Sequence, residues 1–543
     1  MNTKSDLLLI NSFSWTEEKR PCYLPYGILY LAGYVRDKGL SVDIYDRNCD
    51  YSHDIQKCIS YFEKKKPKIV GLSVLSGPVI SDALKISRKI KLISPETVII
   101  WGGLHPTLFS EYVAREPSVD FIVHGEGEGA LHELCDAILN DKSYESIANI
   151  GFFKNDRLVL NPMRKELLDL DKAPFPAWDL VDMKYYLARR FFGSRVLTMN
   201  TSRGCVFKCT FCFNQGLDYQ SWRAVGPERM HAQLQHLYEK YNINGVQFYE
   251  DSFDINPKRC KGFSDLMINS GLNKKVKWSH FANIPLFKRD VAIHEKKAGM
   301  VYIEFGVESG SDRILNWIDK SQSVEKIKEV YEECRQLNIK TAALFIIGFP
   351  EESEEEIRAT EELVENLPAY ILICTIYRPY PGTPLYDYCT SHGIFAEPKN
   401  IDEQGEFYRF SHMSEDELNL SNASTKTLLR LQRKFYAKSA IKDLMYCLKT
   451  LNFGLILFYV KLHLNPKVLM YSLDSLMKRA IEKPGFAKDL GVAKSRDKYK
   501  LYGNFDGSLE QLGFDKVVIP SSRKNSKMVL EPERDTVSHL SSD

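Results

Sequence analysis

Long apolar runs are missing from this chain. Nowhere do the roughly 18 consecutive hydrophobic residues of a membrane span occur, and the start MNTKSDLLLINSFSWTEEKR has no small-residue cleavage site behind its short apolar stretch. No transmembrane segment is expected, and the chain reads as cytoplasmic. An excess of one charge is missing too: 73 Lys+Arg stand against 71 Asp+Glu, a formal net charge of +2. That leaves no basic field to collect nucleic acid and no acidic tail, so a nucleic-acid partner is not expected. Cysteine is scarce, twelve in 543 residues, too few for a disulfide scaffold of this size and suited to a reducing compartment. No G-x-G-x-x-G follows the first strand and no Walker lysine appears, which disfavours a nucleotide-binding fold. What is present is 44% hydrophobic and 12% aromatic residues, enough to bury large cores in about three domains.

From residue 6 to about 140, short apolar runs alternate with helical patterns. The runs are LLLIN (7–11), VDIYD (42–46), KIVGLS (68–73), TVIIWGG (97–103) and VDFIVHG (119–125). Short, rich in β-branched residues and ended by turn formers, they predict five buried parallel strands of a doubly wound, Rossmann-like α/β domain over 1–145. Between them lie stretches such as YGILYLAGYVRDKG, whose terminal glycine predicts a C-cap. The prolines of LDLDKAPFPAWDL and a hairpin signal at GFFKNDRLVLN predict a linker over 146–190. A second alternation follows: RVLTMN (195–200), GVQFYE (245–250), VKWSHF (276–281), VYIEFG (301–306), TAALFIIGFP (341–350) and YILICTIY (370–377). These predict six β/α units over 191–390, with ligands at the carboxyl edge of the strands. Residues 391–519 read as mainly helical and 520–543 as a polar, disordered tail.

Chemistry concentrates at the end of the sixth predicted strand, in TSRGCVFKCTFCFN. Cys205, Cys209 and Cys212 stand in C-x3-C-x2-C spacing within one loop. Soft thiolates select zinc, copper(I) or an iron–sulfur cluster, and three ligands on a four-iron cluster leave one iron open to a substrate or cofactor. The alternative is a structural zinc knuckle, but no C-x2-C or H-x3-H pair follows.

The triad, Phe211 before its last cysteine, and its place after the first of six β/α units resemble the radical S-adenosylmethionine (SAM) enzymes. That resemblance implies a [4Fe-4S] cluster on Cys205, Cys209 and Cys212, with SAM on the open iron, cleaved on reduction to methionine and a 5′-deoxyadenosyl radical. It implies that Glu250 and Asp251 of YEDSF meet the methionine amino group, and that Glu304 and Glu308 of EFGVESG meet the ribose hydroxyls or the amino-acid end. Phe211 would cover the adenine, with Gly348 and Pro350 shaping the turn above it. Each carboxylate has a plainer alternative as an N-cap, and Glu351 to Glu356 reads as a solvated first helical turn.

The amino-terminal domain carries GLS with Ser73, GGLHPT (102–107) and HGEGE (124–128). Placed before a radical domain, these resemble the cobalamin-binding domain of one large class of these enzymes. The resemblance implies cobalamin edge-on at the strand ends, with Ser73, Gly102, Gly103 and Gly125 admitting its tail and His105 and Glu128 bonding its amides; His105 is equally placed to cap its own turn. The Asp-x-His-x-x-Gly loop of classical cobalamin modules is absent, so no histidine is expected beneath cobalt. Three cofactors are therefore expected: the cluster, SAM and cobalamin. The expected activity is methylation of an unactivated carbon or phosphinate of a small molecule, with flavodoxin or ferredoxin as reductant. The alternatives are a radical cyclase of the anaerobic porphyrin type, a rearrangement enzyme, or a noncatalytic cobalamin sensor. Tyr377, Arg378 and Tyr380 are candidate substrate contacts, and no catalytic residue is assigned.

Overall fold

In the computed structural model, residues 5–13, 23–50, 54–155, 157–215, 222–407, 419–435 and 438 are described. Two seven-stranded sheets organise them. The first contains β1 (Leu7–Asn11), β2 (Val42–Asp46), β3 (Ile69–Ser73), β4 (Val98–Gly102), β5 (Phe121–Val123), β6 (Ile150–Lys154) and β7 (Arg157–Leu160), in the order β2-β1-β3-β4-β5-β6-β7. The five runs read from the sequence are its parallel strands, and both faces are covered. Leu7 and Leu9 pack with Ile28, Leu29, Leu131 and Leu134 of helices Tyr26–Asp37 and Glu128–Leu139. Leu8 and Ile10 pack on the opposite side with helices Gln56–Lys65 and Val79–Ile93. Strand alternation thus sends consecutive leucines into two different cores. Because β1 lies between β2 and β3, the strand order reverses there, and a crevice opens at the carboxyl ends.

The region read as a linker contributes to both sheets. Its hairpin, β6 and β7, adds antiparallel to β5, and β8 (Ala188–Arg190) pairs antiparallel with β9 (Gly193–Met199). Between them, the backbone around Phe175 crosses the helix Tyr26–Asp37 at Gly33, where an added Cβ would lie 2.5 Å from Phe175 O. Only glycine permits that approach.

The short pair β10 (Ser202–Arg203) and β11 (Arg223–Ala224) brackets the cysteine loop. The second large sheet then continues through β12 (Gly245–Phe248), β13 (Lys277–Ala282), β14 (Met300–Glu308), β15 (Lys340–Ile347) and β16 (Ile371–Ile376), running β8-β9-β12-β13-β14-β15-β16. Six parallel strands in sequential order, with β8 and β16 at its two edges, make an open half-barrel. Val246, Phe248, Trp278, Ile303 and Phe305 pack outward in the core, so Gln247, Ser279, Phe281 and Glu304 face the concave side. The amino-terminal end of that side is closed by Phe191, Tyr302 and Tyr370, with the Lys340 ammonium 4.3 Å and 4.2 Å from the Phe191 and Tyr370 centroids.

Beyond the half-barrel the chain returns to both domains. Helix Ile401–Phe407 packs on helix Val79–Ile93, with Asp402 paired to Arg88 at 3.0 Å. Residues 425–435 are helical and lie along helix Glu354–Asn366, where Glu361 takes Arg430 and Lys434, each at 2.7 Å. The rest of the expected helical region and the expected tail lie outside the described residues. No helix among the described residues is long and apolar enough to cross a membrane.

Candidate active site between the two domains

A cavity of about 360 Å³ separates the carboxyl edge of the first sheet from the cysteine loop of the second. Its first wall combines Gly27, Gly71, Ser73, Gly102, Gly103 and Gly125 with the side chains of Leu9, Tyr26, Ile28, Tyr30, Leu31, Leu72, Ile100, Val123, Glu126, Glu128 and Leu131; its second is built from Asn200, Ser202, Arg203, Gly204, Phe213, Asn214 and Asp251. Ser73, Gly102, Gly103 and Gly125, expected at the cobalamin tail, and Glu128, expected at its amides, all line it. Gly103 has a positive φ of 101°, and a Cβ there would stand 3.1 Å from Val74 O. The Gly125 N–H donates to Thr107 Oγ1 at 3.0 Å, holding the turn open. The glycines at the strand ends let a large ligand approach the backbone within a wall otherwise made of apolar and aromatic side chains, which fits cobalamin.

His105 departs from its expected place. It does not line the cavity but is fully buried, its Nδ1 3.2 Å from Ser76 Oγ, its ring 4.7 Å from that of Phe109, and Gln404 of the returning helix beside it. Burial holds its imidazole down at about 3, so it is neutral, and its role is packing under the turn.

The three cysteines sit on one loop tied from both sides. Thr210 N–H donates to Ile318 O at 3.0 Å and Thr210 O accepts from Leu385 N–H at 3.0 Å, while Cys212 N–H donates to Cys209 O at 3.1 Å. Burial raises all three thiols, Cys209 to about 11 and Cys212 to about 12. Such thiols stay protonated until a metal displaces the proton. Among the described residues, no three His, Cys, Asp or Glu side chains stand close enough to hold one metal ion. A four-iron cluster binds each thiolate through a different iron and spaces its ligands more widely, so three soft donors on one loop suit it. Phe211 packs on Phe349, 5.6 Å between centroids, and Phe349 on Tyr377 at 5.2 Å, which makes Tyr377 part of the core below the loop.

The strand-end carboxylates divide into different tasks. Glu250, at the end of β12, turns inward: its carboxylate accepts from Thr201 N–H at 2.9 Å and Thr201 Oγ1 at 3.0 Å, with Arg259 at 3.9 Å. Its bonds are spent fastening the start of the loop, which corrects the expectation that it faces the ligand. Asp251 faces the cavity beside Asn214, and burial raises its carboxyl. Glu304 lies on the concave face of the half-barrel, where Gln247 of β12 donates to it across β13. Burial pushes its carboxyl up to about 7. Glu308 has a positive φ of 64° and pairs with Lys320 Nζ at 2.8 Å. Gly348 has φ 80°, and its N–H donates to Glu352 at 2.6 Å. Glu352 corrects the picture of a solvated run: it is fully buried beneath the turn and its carboxyl is pushed up to about 8.

Sequence reading missed the contacts that join the domains, and it gave Glu128, whose carboxylate is paired to Arg203, to the cobalamin amides instead. Arg203 pairs with Glu128 at 2.5 Å and Glu126 at 3.3 Å, and Arg223 also pairs with Glu126. The Arg203 guanidinium lies 5.4 Å from the Tyr30 centroid. Tyr26 and Tyr30 hydroxyls donate to Thr198 O and Asn200 O at 3.0 Å and 2.8 Å. The available signal was charge: two glutamates in HGEGE and an arginine beside the first cysteine motif, both at strand ends facing one cavity.

Comparison with known proteins agrees with this geometry. The B12 binding domain model matches residues 19–135 and the Radical SAM superfamily model matches residues 199–364. An uncharacterized methyltransferase from Pyrococcus horikoshii is 31% identical over 378 residues, 68% of this chain and 79% of that protein. An anaerobic magnesium-protoporphyrin IX monomethyl ester cyclase from Cereibacter sphaeroides is 28% identical over 372 residues, 67% of this chain and 60% of that protein. The fold is shared with the radical SAM methyltransferase TsrM from Kitasatospora setae, solved with cobalamin and a [4Fe-4S] cluster bound: TM-score 0.61, 18% identity, covering 72% of this chain and 78% of that one. The chain belongs to the cobalamin-dependent radical SAM enzymes, whose cofactors are a [4Fe-4S] cluster, S-adenosylmethionine and cobalamin.

Proposed function

We propose that this enzyme methylates an unactivated carbon, or a phosphinate, of a small molecule. The observation that carries the reading is the cavity itself: one wall is the carboxyl edge of the cobalamin-type sheet, and the other is the loop that follows β9. The bound cofactors supply a 5′-deoxyadenosyl radical from SAM at the cluster and a methyl group carried by cobalamin. The chain's own residues supply position. Cys205, Cys209 and Cys212 hold the cluster, and Asp251, the carboxylate on the cavity side of the loop, is suited to an ammonium group. The glycine wall admits the second cofactor close to the backbone. The Arg203–Glu128 and Arg203–Glu126 pairs hold the two walls in one register, so the radical and the methyl donor face one substrate position. The concave surface with Gln247 and Glu304 is the place for the polar part of the substrate. We further propose a low-potential cytoplasmic donor, flavodoxin or ferredoxin, as reductant.

A second reading, radical cyclisation, is favoured by the similarity to the magnesium-protoporphyrin ester cyclase. Anaerobic enzyme loaded with all three cofactors and a reductant separates the two. Methyl transfer yields one S-adenosylhomocysteine and one 5′-deoxyadenosine per product, with label from [methyl-¹³C]SAM in the product. Cyclisation yields 5′-deoxyadenosine with no methyl label and no S-adenosylhomocysteine. Replacing Cys205, Cys209 and Cys212 together by Ala abolishes 5′-deoxyadenosine in either case; if it persisted, the cluster assignment would be overturned.

A further inference from the structure

We propose that Tyr249, flanked by Tyr23 and Phe281, is the surface on which a planar, apolar ring of the substrate lies, and that it selects such substrates. The inference rests on the reading that the substrate lies between the two walls and reaches the concave surface, and it is the same for methyl transfer and for cyclisation. The three rings are in contact. The Tyr249 and Tyr23 centroids are 5.3 Å apart with 34° between the planes, and Phe281 meets Tyr249 at 5.1 Å and 83°, close to edge-on.

The two tyrosines come from different domains, Tyr23 ahead of the helix Tyr26–Asp37 and Tyr249 after β12, yet they are 55% and 50% exposed. Neither hydroxyl has a hydrogen-bond partner among the described residues. Their neighbours Tyr26 and Tyr30 do the joining, donating to Thr198 O and Asn200 O. Tyr23 and Tyr249 therefore add little to the union of the domains. What they supply is flat apolar surface left open where the domains meet, and clefts between domains are where small molecules bind.

Position ties this surface to the site. Tyr249 N–H donates to Met199 O at 2.8 Å, and Asn200 Nδ2 donates to Tyr249 O at 3.1 Å. Asn200 and Asp251, on either side of it, both line the cavity, so the rings continue that cavity onto the concave side of the half-barrel. There the sheet register sets Tyr249, Phe281 and Glu304 in one row. Phe248 is paired with His280, so Tyr249 and Phe281 stand side by side at the next position, and Phe281 is paired with Glu304. Ser279, one layer below on the same face, is fully buried with its hydroxyl unpartnered among the described residues, and β15 places only the small Ala342 beside Glu304. A ring laid on Tyr249 and Phe281 thus has its edge at Glu304, where a hydroxyl or similar substituent meets the carboxyl group. Aromatic faces and edges carry opposite partial charge, so a flat ring gains offset or edge-to-face stacking that a puckered ring of equal area does not.

The test uses 2-naphthol and its saturated counterpart decahydro-2-naphthol, which carry the same hydroxyl on a planar and on a puckered frame. Equilibrium dialysis against the full-length protein with cluster and cobalamin bound gives each affinity, and broadening of the probe's proton resonances when the cluster is reduced shows that it sits in the site. The wild type is expected to bind 2-naphthol about fivefold more tightly than the saturated probe. Tyr249→Ala is expected to remove that preference and Tyr249→Phe to keep it. Should Tyr249→Ala lose its fold in a thermal melt, Tyr249→Leu decides, because it keeps an apolar side chain without the flat ring and is expected to remove the preference too. Equal affinity for the two probes in the wild type, or no measurable affinity for either, overturns the proposal, as does a preference that survives in the folded Ala or Leu variant. A planar preference that depends on Tyr249 but comes without broadening by the reduced cluster counts instead against the placing of the substrate between the two walls.

Discussion

Arg203 and Glu128 pair at 2.5 Å although one precedes the cysteine loop of the half-barrel and the other opens a helix of the amino-terminal domain. Glu128 is 5% exposed, so losing its partner strands a charge out of water. Arg203→Met is expected to cost about 2–3 kcal/mol, less than a wholly buried pair because the arginine is partly solvated. In a thermal melt, Glu128→Gln/Arg203→Met together should recover part of what either loses alone. Strictly additive losses would show that the pair does not couple the domains.

The glycine wall permits a separation of cofactor space from stability. Gly27 lies in a helix on the cavity rim, and a Cβ there meets nothing within 4 Å. Gly27→Leu should therefore leave the melting temperature within a degree or two, helix propensity rising by up to about 1 kcal/mol, yet reduce cobalamin retention at least tenfold. Gly103→Ala, at φ 101°, should cost about 1–3 kcal/mol through backbone strain and lose cobalamin as well. Equal cobalamin content in Gly27→Leu and wild type would move the cofactor off this wall.

Neighbouring carboxylates should behave differently. Glu250 anchors Thr201 and faces Arg259, so Glu250→Gln is expected to cost about 2–3 kcal/mol. Asp251 faces the cavity, so Asp251→Asn should leave the melt nearly unchanged and weaken SAM binding about tenfold, read from the EPR change when SAM is added to the reduced cluster. A reversed pattern would return the ligand role to Glu250.

Much of the fold was legible because strands buried on both faces are continuous apolar runs, and all eleven runs from LLLIN to YILICTIY are strands. The hairpin at 150–160 was visible as a hairpin, but its addition to β5 was not, since pairing across a sheet edge leaves no local periodicity. The cysteine loop was legible from spacing alone. Direction was not: YEDSF shows two adjacent acids, and only the Thr201 hydroxyl and Arg259 guanidinium reveal which one turns inward. Lys320 and Glu352 were invisible for the same reason. Both are charged residues in polar stretches, where a solvated side chain is the ordinary expectation, and tertiary packing alone buries them.

His105 supplies a pH signature. Buried, its imidazole is held down at about 3, whereas the unfolded side chain titrates at the ordinary 6.5. Between these values the unfolded chain binds the extra proton, so the stability from keeping the ring neutral is complete above pH 6.5 and is lost as pH falls toward 3, at up to about 1.4 kcal/mol per pH unit. Buried carboxyls work the other way: Asp254, Glu304 and Glu352, for example, are pushed up to about 6, 7 and 8, so in the folded protein they retain protons that the unfolded chain releases. Their contribution is complete below about pH 4 and is lost as pH rises through those values. From pH 4.5 to 6.5 the histidine therefore opposes the carboxyls. His105→Gln removes only the rising component, so its stability should decline with pH more steeply than the wild type's across that interval, and the two slopes should become parallel above pH 6.5. Melting midpoints at half-unit pH steps would check this, and slopes that stay parallel throughout would mean that the ring takes up a proton in the folded state.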